Sequence, residues 1–439
     1  MNVSRTLLAA SILTAAATPA SALEVEVGGQ VNRAIMYVQD GYSFEANDGT
    51  AILGRGSDTE YYHVDNRNSP TRFNLGATQR LFEGWTAGAL IEIGAYSNSS
   101  SDVEPANKST SGELEQRITD AFIDSPYGKI TVGRGEGAAY NTARRDYSGT
   151  GVISFRNPGL IGGSLYYKLK DSSVKTQFNA DGSFQDRQNF TEDELRGADG
   201  AGRVNRTTIA GSIRDYNFEG RHDRIRYDSP RIGPVTLSAS VGHKSGGDGE
   251  GHESIMQVGL RSGLRAPGGR VLVGLGYSRA ERTIVDPSVA FDPDPGVSPY
   301  VRKYGGSVSY FHSDTGLNLT LAAVNDSAER TTSETEGNFS STRSELGQFR
   351  YAKLGYRPNR THAFDIHYGE TMNRNKDDEK GSVIGVGYVW SPMDMFDAYA
   401  GAKIHSFERG FWCTESGRTC YSPEYEDITI VTTGVRVKF

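Results

Sequence analysis

The chain has 439 residues, a net charge of −7 at pH 7 and only two cysteines, alongside 53 glycines, 23 tyrosines and 18 phenylalanines. Its acidity and the lack of any concentrated basic patch argue against nucleic acid as a partner. Mean hydropathy is −0.51, and beyond the N-terminus no stretch approaches the roughly 18 consecutive apolar residues of a membrane-spanning helix.

The first element is a leader. Arg5 precedes an apolar run from Leu7 to Ala17, and Pro19, Ala20, Ser21 and Ala22 supply the small residues of a cleavage site. Residues 1–22 are predicted to be a cleaved signal peptide that exports the chain across the inner membrane, leaving 23–439 as a single domain. Strand alternation starts at once with LEVEVGG and recurs along the chain. Trp85, Ala87, Ala89, Ile91 and Ile93 share one face, with Thr86, Gly88, Glu92 and Gly94 on the other. Val235, Leu237, Ala239 and Val241 repeat the pattern, as do Leu317, Leu319 and Leu321. Ile384, Val386, Tyr388 and Trp390 end their apolar face on two aromatics, as an interfacial girdle would.

Between strands, short connections bearing Gly, Pro, Asp or Asn (FEGW, SPYGK, SPRIGP, APGG, SDTG, RPNR and SPMDM) alternate with long polar segments. The seven tight turns join fourteen strands, and one more at each end makes sixteen. They are placed at about 25–38, 70–82, 84–96, 113–125, 127–134, 222–230, 233–243, 254–265, 269–279, 303–312, 315–324, 347–357, 360–370, 380–391, 395–405 and 427–439. A soluble sandwich would need a polar outer face. Here one face is consistently apolar and the other carries Arg, Glu, Asn, Thr and Gly. The predicted fold is all-β: a 16-stranded antiparallel transmembrane β-barrel with lipid outside and water within.

One connection breaks the rhythm. Residues 135–221 far exceed the usual ~4–6-residue link, and a loop this long can fold into the lumen of so wide a barrel and narrow it. Cys413 and Cys420 flank a short turn, CTESGRTC, so in an oxidising compartment they read as one disulfide at a loop tip. A metal site there would need ligands beyond His405. The chain ends on an alternating run, Val431, Thr433, Val435, Val437 and Phe439, with the final aromatic in phase. That suits a terminus that must itself be paired; an edge strand of a soluble sandwich would show the same alternation.

Several segments together resemble the Gram-negative general porin family in its alphaproteobacterial branch. They are LEVEVGGQVNRAIMYVQDG, YGKITVGRGEG, GTGVISFRNPGLIGGSLYYKL, HDRIRYDSP and the terminal VRVKF, in that order and spacing. The third loop departs from the short family form in having no Pro-Glu-Phe-Gly-Gly stretch. The resemblance implies an outer-membrane homotrimer embedded in lipid and lipopolysaccharide, with each channel constricted by the third loop. It also implies that Phe439 is read by the outer-membrane assembly machinery. Carried over by motif, Arg72, Arg134 and Arg226 form a constriction wall, joined by Arg224. Glu136 and Asp146 face them from the loop, beside Arg144 and Arg145. The alternative for each arginine is an ordinary solvated lumen residue, salt-bridged to a neighbour. Asp120 falls in the outward register beside Ile118 and Phe122, which places it at a subunit interface unless the register slips there by one residue.

An enzymatic barrel would need a Ser or Asp nucleophile paired with a His. His63, His243, His252 and His312 sit scattered at strand or loop ends, and neither a Gly-x-Ser-x-Gly elbow nor a His-Glu-x-x-His occurs. No catalytic role, cofactor or metal is expected. The functional expectation is passive diffusion of small hydrophilic solutes through a water-filled pore. The alternatives are a porin selective for a particular anion or sugar and a structural or adhesive barrel. Whole-chain acidity leans towards mild cation preference, against an arginine-rich constriction.

Overall fold

Two-faced strands avoid exposed hydrogen-bonding edges only by closing on themselves. The computed structural model describes residues 23–40, 59–105, 107–167, 207–245, 252–281, 300–327, 330–335, 338–342, 347–374, 379–408 and 425–439, with short paired segments at 177–179, 184–185, 412–413 and 419–421. The predicted leader lies outside the described residues, as does much of the second half of the long loop.

The wall comprises β1 (Glu24–Gln39), β2 (Thr59–Asp65), β3 (Arg72–Phe82), β4 (Trp85–Tyr96), β5 (Glu113–Ser125), β6 (Gly128–Glu136), β7 (Arg221–Asp228), β8 (Val235–Ser245) and β9 (His252–Ala266). It continues through β10 (Gly269–Glu281), β11 (Tyr300–His312), β12 (Leu317–Ser327), β13 (Gly347–Tyr356), β14 (His362–Met372), β15 (Lys380–Met393), β16 (Phe396–Glu408) and β17 (Ile428–Lys438). All belong to one antiparallel sheet, and β1 pairs with β17 from Gln30↔Lys438 to Gln39↔Thr429 to close it. Both β2 and β3 pair with β1, against its upper and lower halves. They are two pieces of one stave, so the seventeen strands make a barrel of sixteen. The expected loop over residues 39–69 thus contains a strand, and the second stave is interrupted at 66–71.

Burial is the inverse of that in a soluble protein. Leu317, Leu319 and Leu321 are exposed while Asn318 and Thr320 are sheltered. The same holds for exposed Ile384 and Val386. At the tight-turn end, outward Tyr356, Phe364 and Tyr388 stack in succession, with centroids 6.4 and 4.8 Å apart, as part of an aromatic girdle. Among the described residues no helix is long and apolar enough to cross a membrane.

The interior is not uniformly polar, contrary to the expectation of a wet inner face throughout. Met36, Val38, Tyr62, Val64, Phe407, Ile428 and Ile430 point inward and pack with Val152, Ile153, Ile161, Leu165, Ile209 and Ile213 of the long connection. A second cluster joins Ala139, Ala143, Tyr216 and Phe218 to Val324, Phe349 and Tyr351. Apolar residues on the sheltered face thus mark where the connection docks.

The C-terminus is held as its alternation suggested. Gly29 and Phe439 exchange backbone hydrogen bonds of 2.9 and 3.1 Å. The Phe439 ring lies over Gly29, where a Cβ would come within 2.7 Å of both the ring and the Arg72 carbonyl oxygen. Beyond the barrel, Trp412–Cys413 pairs with Thr419–Tyr421, making Cys413 and Cys420 register partners. That hairpin continues into Gln177–Asn179 of the long connection.

Candidate functional site

The long connection leaves the wall at Glu136 and returns at Arg221, which are themselves register partners. Its first part, residues 137–167, lies along the sheltered faces of the strands. The backbone N–H groups of Ala138, Ala139, Arg145 and Tyr147 donate to Ser240 Oγ, Gln257 Oε1, Ser307 Oγ and Ser309 Oγ at 2.9–3.0 Å. Small wall residues make this approach possible. A Cβ on Gly274 would overlap the Thr142 carbonyl oxygen.

Farther along, Asp146 meets Lys353 of β13 at 2.8 Å and accepts from Thr320 Oγ1 at 3.0 Å. Lys353, 1% exposed, also donates to the Ser154 carbonyl at 2.6 Å. Burial alone would raise the Asp146 carboxyl, but the Lys353 ammonium and the Ser148 N–H hold it well below the usual carboxylate range. From the other side, the interruption of the second stave reaches the same segment. Asn66 and Asn68 donate to the Val152 and Ile153 carbonyls at 2.9 and 3.0 Å.

Between these supports lies a cavity of 690 Å³ whose lining includes seven arginines (Arg67, Arg72, Arg117, Arg144, Arg145, Arg221, Arg261) and four carboxylates (Glu92, Glu115, Glu136, Asp146). Glu92 bridges Arg117 at 2.6 Å and Arg72 at 3.2 Å. Glu115 accepts from Tyr96 Oη at 2.6 Å and meets Arg67 at 3.5 Å, with the Arg67 guanidinium 4.2 Å above the Tyr96 ring. Arg261 spends its donors on the Ala138 and Tyr140 carbonyls. Arg144 pairs with Asp215 at 2.6 Å and lies over the Phe155 ring. Burial works against the Arg144 charge, and the Asp215 carboxylate more than offsets it, so its pKa is raised.

The residues expected to form the constriction are therefore divided. Arg72, Glu136, Arg144, Arg145 and Asp146 come together around the cavity. Arg224 and Arg226 do not line it. Arg224 grips Asp120 through two bonds of 2.5 and 2.9 Å and the Glu136 carbonyl at 3.0 Å. Arg226 pairs with Asp228 at 2.7 Å and reaches the Glu136 carbonyl at 3.2 Å. Both hold the base of the connection in place.

One placement differs outright from expectation, and a second follows the one-residue register slip left open for it. Arg134 lies on the outer face: it continues the phase of exposed Ile130 and Val132, and its partner Thr119 is exposed as well. Alternation overrides the motif there. Asp120 faces inward because β5 carries a bulge. Glu92 opposes Ile118 and Ile93 opposes Gln116, leaving Arg117 as the extra residue and resetting the phase below it. Of the two loop acids, Asp146 is engaged by Lys353 rather than by an arginine, whereas Glu136 lies 3.9 Å from Arg221.

Arg67, Arg221, Arg261 and Lys353 escaped sequence reading. Only Arg261 and Lys353 carried a signal: each alternates with outward apolar neighbours, Leu260 and Leu354. Among the described residues no three His, Cys, Asp or Glu side chains gather as a metal ion would need.

A family model described as Gram-negative porin matches residues 9–405. No curated protein sequence matches the chain. Among solved structures it is similar to an anion-selective porin from Comamonas acidovorans, at 13% identity and a TM-score of 0.53, covering 95% of this chain and 100% of that one. OmpT of Vibrio cholerae, an outer-membrane protein, aligns at 11% identity and a TM-score of 0.51, over 95% of this chain and 98% of its own. A trimer form of in-vitro folded OmpT gives 12% and 0.50, over 95% and 100%. At these identities the structural likeness shows the fold; the match of the family model to most of the sequence shows the lineage. The chain belongs to the Gram-negative porin family.

Proposed function

We propose that in this outer-membrane channel, through which small hydrophilic solutes diffuse passively, residues 137–167 fold into the lumen as the constriction, and that the narrow zone favours anions. One observation carries the second point: seven arginines against four carboxylates around the 690 Å³ cavity. This reverses the lean towards cations drawn from whole-chain charge. The similar porin from Comamonas acidovorans is anion-selective. Most charged groups of the cavity, among them Glu92, Arg117, Arg144 and Asp146, are engaged in ion pairs, which suits a wall rather than a catalyst.

The test is reconstitution. Liposomes carrying the protein should swell in small neutral sugars, and a planar bilayer in a KCl gradient should reverse on the chloride side. Arg72→Gln should move the reversal potential towards cations, whereas Arg134→Gln, on the outer face, should leave it unchanged. Absence of any permeability would sink the channel reading. Equal shifts for both variants would sink the assignment of the constriction.

A homotrimer is part of the same proposal. Thr119, Arg134, Asp223 and His243 form one row across β5 to β8 on the outer face. Charge at the bilayer midplane costs about 2–4 kcal/mol, and β6 and β7 are short, nine and eight residues against fourteen in β15. Cover by a second copy relieves both problems. Detergent-extracted protein should cross-link as three copies, and Arg134→Glu should weaken that species. A native monomer would count against it. Signal-peptide removal after Ala22, a Cys413–Cys420 disulfide, contact with lipopolysaccharide and recognition of Phe439 by the assembly machinery complete the reading. Intact mass with and without reductant tests the first two.

A further inference from the structure

A second cavity, of 330 Å³, adjoins the first, and the two share the lining residues Tyr140, Arg144, Asn157 and Arg221. A solute moving between them passes this shared set. Its two arginines are not equivalent. Arg144 is committed to Asp215 at 2.6 Å. Arg221 has its nearest described carboxylate, Glu136, at 3.9 Å, and its Nε is buried without a hydrogen-bond partner among the described residues. Its guanidinium lies 5.3 Å from the Tyr140 ring centroid, held by a contact that uses none of its N–H donors.

A guanidinium offers five donors in a planar fork that matches carboxylate and phosphate oxygens two at a time. An arginine with donors unspent, shared by the linings of two adjoining cavities, can receive an oxyanion from one and release it into the other. Because its own carboxylate is distant, little has to be broken first. We propose that Arg221 is a specificity-determining residue of the channel, the point at which the carboxylate or phosphate of a small organic anion is received between the two cavities. The inference rests on the channel reading and names the solute chemistry that the passage prefers.

The experiment uses the full-length trimer in planar bilayers, with potassium chloride and potassium acetate as probes. Arg221→Gln should lower the chloride-to-potassium permeability ratio by about sevenfold, because one kT of local potential moves the two ions about 2.7-fold in opposite directions. Arg221→Lys should keep most of the chloride preference but lose preference for acetate, since an ammonium lacks the fork. Arg231→Gln, the same charge change in an exposed turn, should alter neither. A conducting Arg221→Gln channel with the wild-type ratio would overturn the proposal, as would an equal shift in Arg231→Gln. Should Arg221→Gln not fold, Arg221→Lys still decides: unchanged acetate preference overturns it. A wild-type protein that does not conduct at all would sink the channel reading and this inference together. A conducting wild type with indifferent Arg221 variants sinks only the inference.

Discussion

Lys353→Met should loosen the proposed constriction, raising single-channel conductance and its noise while lowering the thermal stability of the barrel. Lys353 is nearly inaccessible and donates to Asp146, the Ser154 carbonyl and Ser148 Oγ, so it ties the long connection to β13 at several points. Removing one partner of a buried pair leaves the other charge without compensation, at a cost of about 3–5 kcal/mol. Adding Asp146→Asn to the methionine variant should recover part of that loss, because the stranded carboxylate is then gone. Unchanged conductance and melting temperature in Lys353→Met would show that the segment is held elsewhere.

The pH dependence of the latch follows from the same carboxyl. Its folded-state pKa is depressed, so its stabilisation is present above the unfolded value of about 3.9 and lost only as pH falls towards the folded one. Conductance of the wild type should therefore show no unlatching from neutral pH down to about pH 4.

The second large effect lies on the opposite face. Leu321→Arg, in the middle of β12, should destabilise the barrel in lipid by about 2–4 kcal/mol, measured by urea unfolding in vesicles. Leu321 is 44% exposed and flanked by sheltered Thr320 and Ala322. A loss below about 0.5 kcal/mol, typical of an innocuous surface substitution, would mean that this face does not meet hydrocarbon. The pore should be unaffected, because the arginine points away from it.

Why some elements were legible and others were not can be read from β2. Glu60, Tyr61, Tyr62, His63 and Val64 alternate, but Tyr62 and Val64 point inward to meet the connection while Tyr61 and His63 face out. A pattern that equates apolar with lipid-facing misses such a strand, because its apolar residues serve an interior contact that does not exist until the connection has docked. Arg134 teaches the converse. Expected in the inward constriction wall, it continues instead the outward phase of exposed Ile130 and Val132. At Asp120 alternation did not suffice, since one bulged residue, Arg117, inverts the phase of everything after it.

By itself the sequence determined the cylinder. Lipid outside and water inside impose a period of two on every spanning strand, tight turns demand Gly, Pro or Asn at fixed places, and a paired terminus keeps Phe439 in phase. These constraints are local, so they are written residue by residue. Which charges meet around the cavity was decided only in three dimensions. The cavity gathers Arg67 from a broken stave, Arg72 and Arg117 from the wall, Arg144 from the connection and Arg221 from its return. Those residues are brought together by docking between segments far apart in the chain, and no local periodicity reports on such encounters.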